Sequence, residues 1–178
     1  WYKNVQIAQL SPDSYSYINY GYQIPSNGRT PVYPYIINTV RFLGENYLIA
    51  VVILQIVVSM ISVVFLYKLL FLITENKYLA LAVTAVYGVS PTVIQWDTMI
   101  LTESLGISGS VFFLYLIVNY IYKPSIFYGA GATAAAFILT MHRPSLMLIN
   151  YALFFFWIFR LYYRGERHIL KRSIPLSI

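Results

Sequence analysis

The most constraining feature of the sequence is an uninterrupted apolar run over residues 47–73. Its residues are almost all Ile, Val, Leu, Phe and Met, and Lys68 lies near one end, where its long side chain can reach the interface. A helix needs roughly 20 apolar residues to cross the ~30 Å hydrocarbon core of a bilayer. The run therefore predicts a transmembrane helix and argues against an ordinary water-soluble fold.

Composition indicates the same class of protein. Only 10% of the 178 residues are charged, whereas a soluble domain carries about 25%. The chain has no cysteine, which excludes a disulfide-stapled secreted domain and a zinc–thiolate site. The excess of twelve Lys and Arg over six Asp and Glu is interpreted through membrane topology, because basic residues concentrate in cytoplasmic loops.

Four further apolar runs follow the first, separated by short polar connections. Short connections make neighbouring helices antiparallel, so we expect an all-α polytopic membrane protein with about five transmembrane helices. The runs occupy residues 47–73, 78–95, 98–122, 126–141 and 146–163. This array, over residues 47–163, lies between an external loop over residues 1–46 and a basic cytoplasmic segment over residues 164–178.

Basic residues predict the orientation of the array. Five Lys and Arg residues lie between positions 160 and 172, so this end is expected to be cytoplasmic and the loop over residues 1–46 external. We expect an integral membrane protein, of the cytoplasmic membrane in a prokaryote or the endoplasmic reticulum in a eukaryote. Because Trp1 is not an initiator Met and no signal peptide follows it, the chain is expected to be a fragment that lacks an upstream helix.

The external loop contains signals for two short amphipathic surface helices. Residues 11–13 supply a Ser N-cap, a Pro at the first helical position and an acid in the first turn, and this helix is expected to end near Tyr20. A second start at Thr30 and Pro31 leads into a segment that reaches Gly44. The many tyrosines of this loop suit the membrane–water interface.

Two acidic residues have both a structural and a functional interpretation. Asp13 is either a first-turn acid that interacts favourably with the helix dipole or a general base in a cleft at the membrane surface. Glu103 is expected one or two helical turns inside the third run, ~7 Å below the outer surface, where an unpaired acid is costly. It would form a salt bridge to Arg143 or Arg29, line a binding site, or do both.

Asp97 stands at the start of the third run and is likewise open to two interpretations. Either it or Thr98 caps the helix, or Asp97 joins Glu103 in a carboxylate cluster. Carboxylate oxygens are hard ligands that suit Mg²⁺ or Mn²⁺. A divalent cation held by Asp97 and Glu103 is therefore one expectation, and no other cofactor is indicated.

Two arginines are candidate ligands for a phosphate. Arg143 follows the fourth run, and Arg29 precedes the second surface helix. Each is either an interfacial anchor or a phosphate ligand, because the guanidinium fork matches phosphate oxygens. The neighbouring His142 is interpreted as an interfacial or structural residue, and residues 129–136 as close helix packing.

Four motifs follow one another along the chain in an order that is informative. They are Asp13-Ser14-Tyr15-Ser16-Tyr17, then Arg29-Thr30-Pro31-Val32-Tyr33-Pro34, then Ser90-Pro91 ahead of Leu101-Thr102-Glu103-Ser104-Leu105, and finally Arg143-Pro144-Ser145. This order resembles the GT-C superfamily of integral-membrane glycosyltransferases. The resemblance covers about residues 11–163 and is nearest to the family 39-like branch, which is related to protein O-mannosyltransferases and aminoarabinose transferases.

The resemblance implies that a sugar passes with inversion from a polyprenyl- or dolichyl-phosphate carrier to an acceptor hydroxyl on the non-cytoplasmic face. Asp13 would be the general base, Glu103 and Asp97 would bind acceptor, sugar or metal, and Arg143 and Arg29 would stabilise the lipid phosphate. The acceptor would be a lipid, a glycan or a protein, and nucleic acid is not expected. Many mannosyltransferase relatives have two adjacent acids in the first loop, whereas Asp13 is followed by Ser14. A piece of this length need not be active alone.

Two other classes of function stay open. A transporter or channel subunit needs a polar path across the membrane, and the inner half of each predicted span is almost uncharged. A non-catalytic membrane scaffold would leave Asp13 and Glu103 far apart and dispensable. The position of these two acids in the fold therefore discriminates among the classes.

Overall fold

The computed structural model describes residues 8–19 and 30–173, with side chains described as far as residue 160. All regular structure in these ranges is helical, apart from one backbone bridge between Gln9 and Met99. The α-helices are α1 (Pro12–Ile18), α2 (Val32–Thr39), α3 (Tyr47–Thr74), α4 (Lys77–Gly88), α5 (Pro91–Thr98), α6 (Glu103–Tyr122), α7 (Ile126–His142) and α8 (Met147–Ser173). Short 3-10 segments cover Arg41–Asn46 and Pro144–Leu146. The prediction of an all-α membrane protein is confirmed.

Both short helices of the first loop are present. Ser11 is the N-cap of α1, Pro12 occupies its first turn, and the Ser11 N–H donates to Ser14 Oγ at 2.9 Å. The helix ends at Ile18, slightly earlier than expected. Helix α2 ends at Thr39, and the chain continues through the 3-10 segment Arg41–Asn46 before α3 begins.

Five membrane spans were expected, but among the described residues only two helices are by themselves long and apolar enough to cross a membrane. Arg41–Thr74 and Glu103–Tyr122 are each long and apolar enough to cross a membrane. Helices α4 and α5 would form a third span together, bent by 48°. Pro91 explains the break, because proline lacks the N–H that would continue the α4 helix. Helix α7 and the segment Pro144–Arg160 are apolar but shorter, so the five-span arrangement stays a prediction.

One helix begins later than the sequence suggested. The apolar run was expected to be helical from residue 98, but α5 ends at Thr98 and α6 begins only at Glu103. Backbone pairing explains the interruption: the Gln9 N–H donates to Thr98 O at 2.9 Å, and the Ile100 N–H donates to Gln9 O at 3.1 Å. Glu103 is therefore at the start of its helix and not one or two turns inside it.

Helices that follow one another in the sequence pack side by side, and the first loop closes over one end of them. Helix α3 packs against α4 and also against α6, which runs in the same direction as α3. Helix α6 packs against α7, and α7 packs against α8. A buried cluster joins α2 to the start of α3 and to the α5–α6 link, which is residues 99–102. Its members are Tyr33, Ile37, Val51, Val52 and Ile100. We call this end of the array the loop-side end.

Candidate functional site

An ion pair lies at the loop-side end, where α6 starts and α7 finishes. Arg143 Nη1 lies 3.1 Å from Glu103 Oε1. Glu103 is the first residue of α6 and Arg143 is the C-cap of α7, so the antiparallel packing of these helices brings the two side chains together. The side chains are 22% and 38% exposed, respectively. The salt bridge to Arg143, one of the two partners expected for Glu103, is present.

Arg143 is also held on its other side. Its Nε donates to Ser145 Oγ at 2.9 Å. A guanidinium has five N–H donors, and the contacts with Glu103 and Ser145 use one each. The other N–H groups of the guanidinium belong to a partly exposed ion pair, and they are the groups that would donate to a phosphate.

His142, the residue before Arg143, forms hydrogen bonds with the elements that surround the ion pair. The His142 side chain is only 4% exposed, and its Nε2–H donates to Thr102 O at 3.0 Å. Its backbone carbonyl accepts from Thr30 Oγ1 at 2.8 Å. One residue therefore connects the end of α7, the residue before Glu103 and the first loop. This position agrees with the structural interpretation of His142.

Gln55 was overlooked in the sequence, although a glutamine inside a long apolar run was a usable signal. The side chain is fully buried, and its Nε2 donates to Met99 O at 2.8 Å and to Asp97 O at 3.2 Å. Its Oε1 accepts from Tyr33 OH at 2.7 Å. Gln55 thus links α3 to the α5–α6 link and to α2.

Tyr33 is the partner of Gln55 and the centre of the first-loop packing. Burial, with smaller contributions from nearby Tyr17 and Glu103, raises the pKa of its phenol well above the ordinary value. The hydroxyl therefore stays protonated and can donate to Gln55. The Tyr33 ring also packs edge-on against Tyr17 of α1 at 5.2 Å and against His142 at 5.7 Å between centroids.

Asp97 has a different environment from Glu103. It is 9% exposed, near the end of α5, and its Oδ1 accepts from Ser104 Oγ at 2.5 Å. The N-cap of α6 is Thr102, so neither Asp97 nor Thr98 caps this helix; Asp97 instead binds Ser104, the second residue of α6. The two carboxylates thus have separate partners.

A divalent cation was one expectation for Asp97 and Glu103. No cluster of three or more His, Cys, Asp and Glu side chains suited to a metal ion occurs in the described part of the chain. Binding of a divalent cation by these two carboxylates stays a prediction.

The remaining two candidates lie in the first loop. Asp13 is exposed in the first turn of α1, and the pairing of Gln9 with the α5–α6 link holds the segment before α1 next to the residues that precede Glu103. Arg29 lies outside the described residues. The structure therefore brings Glu103, Arg143 and Asp97 to one end of the array and places α1 beside that end.

Comparison with known proteins agrees with this arrangement. Residues 28–177 match the family described as dolichyl-phosphate-mannose-protein mannosyltransferase. Searches of the curated proteins and of the solved structures found no match. The family match covers most of the chain, from just before α2 to beyond α8. The chain therefore belongs to the dolichyl-phosphate-mannose-protein mannosyltransferase family, a group of mannosyltransferase-like membrane glycosyltransferases of the GT-C type.

Proposed function

We propose that this protein transfers a sugar from a polyprenyl- or dolichyl-phosphate carrier to an acceptor hydroxyl at the loop-side end of the helix array. In the predicted orientation this end faces the non-cytoplasmic side. The family match supports a dolichyl-phosphate-linked donor, and the acceptor is a protein, a glycan or a lipid. The observation that carries the proposal is the partly exposed ion pair of Arg143 and Glu103.

The chemistry is an inverting displacement at the anomeric carbon. The acceptor oxygen forms a bond to that carbon, and the bond from the same carbon to the lipid phosphate breaks. The proton of the acceptor hydroxyl passes to the Asp13 carboxylate, which acts as general base. The leaving group is the polyprenyl phosphate, which carries away the bonding electron pair.

Arg143 stabilises the leaving phosphate in this proposal. Charge develops on the phosphate oxygens as the sugar leaves, and fixed donors in a site of low dielectric constant stabilise such charge strongly. Glu103 and Ser145 hold the guanidinium in place before the substrate arrives. Arg29, which stands between Gly28 and Thr30 in the sequence, is a second proposed phosphate ligand.

Glu103 and Asp97 have different parts in the proposal. Glu103 is partly exposed, so its carboxylate accepts hydrogen bonds from acceptor or sugar hydroxyls as well as from Arg143. Asp97 is nearly buried against Ser104. Asp97 is a positioning residue, because its hydrogen bond with Ser104 fixes the first turn of α6 and hence the position of Glu103.

The experiment that tests the function measures release of free polyprenyl phosphate. The full-length protein is purified in detergent with lipid and supplied with a panel of polyprenyl-phosphate sugars. Asp13→Asn should lower release by about 10²–10⁴-fold, the usual contribution of a general base. Glu45→Gln, which changes another exposed acid of the first loop, is the matched control.

Each outcome of this experiment is informative. Release by the native protein that is lost in Asp13→Asn but kept in Glu45→Gln supports the class of reaction and the base together. Release that Asp13→Asn leaves unchanged removes Asp13 from the chemistry. Absence of release with every donor contradicts the proposed function and favours a scaffold.

A further inference from the structure

A cavity of about 920 Å³ lies at the opposite end of the array from the Glu103–Arg143 pair. It is bounded by the last turn of α6, the first two turns of α7 and a face of α8. Tyr120 is 17 residues beyond Glu103 on α6, which is about 25 Å at the helical rise of 1.5 Å per residue. The cavity is therefore separate from the site described above. Its walls include Tyr120, Ser125, Gly129, Thr133, Trp157 and Arg160.

Aromatic rings and a glycine form the inner wall of this cavity. The rings of Tyr120 and Trp157 pack edge-on, with centroids 4.9 Å apart. A Cβ atom on Gly129 would lie 3.0 Å from Trp157 Cη2 and 3.2 Å from Tyr120 Cε2. Even a methyl group at Gly129 would be crowded by these rings, so the rings pack directly on the backbone of α7 and form a close-packed wall. Tyr and Trp are typical of the level at which lipid head groups meet acyl chains.

The mouth of the cavity carries positive charge. The Arg160 guanidinium carbon lies 5.7 Å from the centroid of the Tyr120 ring, and no carboxylate among the described residues forms an ion pair with this guanidinium. Ser125, which caps the start of α7, lines the same mouth. The N-terminal end of a helix is positive, so both features attract a phosphate group.

The surroundings of the mouth are apolar. Ile126 and Phe127, at the start of α7, are 90% and 76% exposed. Exposed side chains of this kind are stable in hydrocarbon and not in water, so the cavity opens towards lipid. An arginine above an apolar wall matches a molecule that has an anionic head and an acyl chain.

We propose that this cavity binds an anionic phospholipid of the adjacent leaflet. Its phosphate lies between Arg160 and the start of α7, and its acyl chain passes over Ala130 and Trp157. In the predicted orientation this leaflet is cytoplasmic, where anionic lipids are abundant. The inference does not rest on the proposed glycosyl transfer.

Tryptophan fluorescence tests the proposal directly. The three tryptophans are Trp1, Trp96 and Trp157. Substituting Trp1→Phe and Trp96→Phe in the full-length protein, together with any tryptophan outside residues 1–178, leaves Trp157 as the reporter. The protein is reconstituted in phosphatidylcholine vesicles that contain a small fraction of brominated phosphatidylglycerol or of brominated phosphatidylcholine. Quenching of Trp157 then reports which lipid occupies the cavity.

The proposal predicts stronger quenching by phosphatidylglycerol, by about fivefold, the factor that one basic residue contributes against an anionic lipid. Arg160→Gln should abolish the preference, and Ala130→Leu should reduce quenching by both lipids because it adds bulk to an exposed position of the cavity wall. Lys123→Gln removes an exposed charge from the same end and is the control. Retained helical circular dichroism shows that each variant is folded.

Three results would overturn the proposal. Equal quenching of the native reporter by both lipids would remove the anionic preference. If the preference for phosphatidylglycerol survives Arg160→Gln, or if Lys123→Gln lowers it equally, the attraction is a diffuse one to the membrane surface. Absence of quenching by either lipid would show that protein covers the cavity.

Discussion

The guanidinium of Arg143 and the carboxylate of Glu103 are 3.1 Å apart although 40 positions separate them in the sequence. Glu103 opens α6 and Arg143 follows α7, so the pair marks the point where two antiparallel helices meet the first loop. Its partial exposure matters for function. A fully buried pair would be closed to a substrate, whereas this pair can exchange contacts with a phosphate and with sugar hydroxyls.

Glu103→Gln is expected to separate activity from stability. A partly exposed ion pair contributes only about 0–1 kcal/mol to the free energy of unfolding, so the variant should unfold within that range of the native protein. Release of polyprenyl phosphate should fall about tenfold or more, because one charged hydrogen bond contributes about 1.5–3 kcal/mol. Thermal unfolding in detergent and the release assay measure the two quantities. A large loss of stability with normal activity per folded molecule would contradict this account.

Gln55→Leu is expected to loosen the first loop from the helix array. The substitution leaves the buried Tyr33 OH without its acceptor, and Met99 O keeps only the Leu101 N–H as a donor. A buried polar group left without a partner costs about 1–3 kcal/mol. Unfolding in detergent should therefore show a clear loss of stability in Gln55→Leu.

The matched control for Gln55→Leu is Gln95→Leu, because the Gln95 side chain is exposed on α5. Its effect on the free energy of unfolding should be small. Equal effects of the two substitutions would show that the buried contacts of Gln55 do not hold the loop.

Stability should decline at alkaline pH partly because of Tyr33. Burial raises the pKa of Tyr33 in the folded state, while an unfolded tyrosine titrates near about 10. The contribution of Tyr33 is therefore fully present below about pH 10 and is lost as pH rises above it. Tyr33→Phe should show a shallower alkaline decline in the free energy of unfolding. Tyr35→Phe, at a half-exposed position, should keep the native slope, and an unchanged slope in Tyr33→Phe would contradict the assignment.

Local patterns in the sequence were sufficient for most of the fold. The apolar run over residues 47–73 corresponds closely to α3, which covers Tyr47–Thr74, because its length and apolarity leave few alternatives. Ser11 and Pro12 correctly marked the start of α1, since capping depends on neighbouring residues only. Residues 78–95 were instead predicted as a single run, and the structure divides them into α4 and α5 at Pro91.

Long-range contacts explain what the sequence could not reveal. The helix expected from residue 98 is interrupted because Gln9, almost 90 positions earlier, pairs with the backbone there. The same interruption moves Glu103 to a helix start, and Asp97 binds Ser104, the residue next to Glu103. Neither contact has a local signature. Gln55 was visible as a polar residue inside an apolar run and His142 directly after one, but their partners depend on how the helices pack.

The most direct test of the account is the release of polyprenyl phosphate by Arg143→Gln beside the native protein and Lys123→Gln. Lys123 is an exposed basic residue at the other end of the array, so its loss controls for net charge. The account predicts that Arg143→Gln loses about 10²–10³-fold in turnover, as expected when a donor to developing charge is removed, whereas Lys123→Gln keeps native turnover. If Arg143→Gln keeps native turnover at a saturating concentration of the dolichyl-phosphate-linked donor, the central claim that this arginine stabilises the leaving phosphate is contradicted.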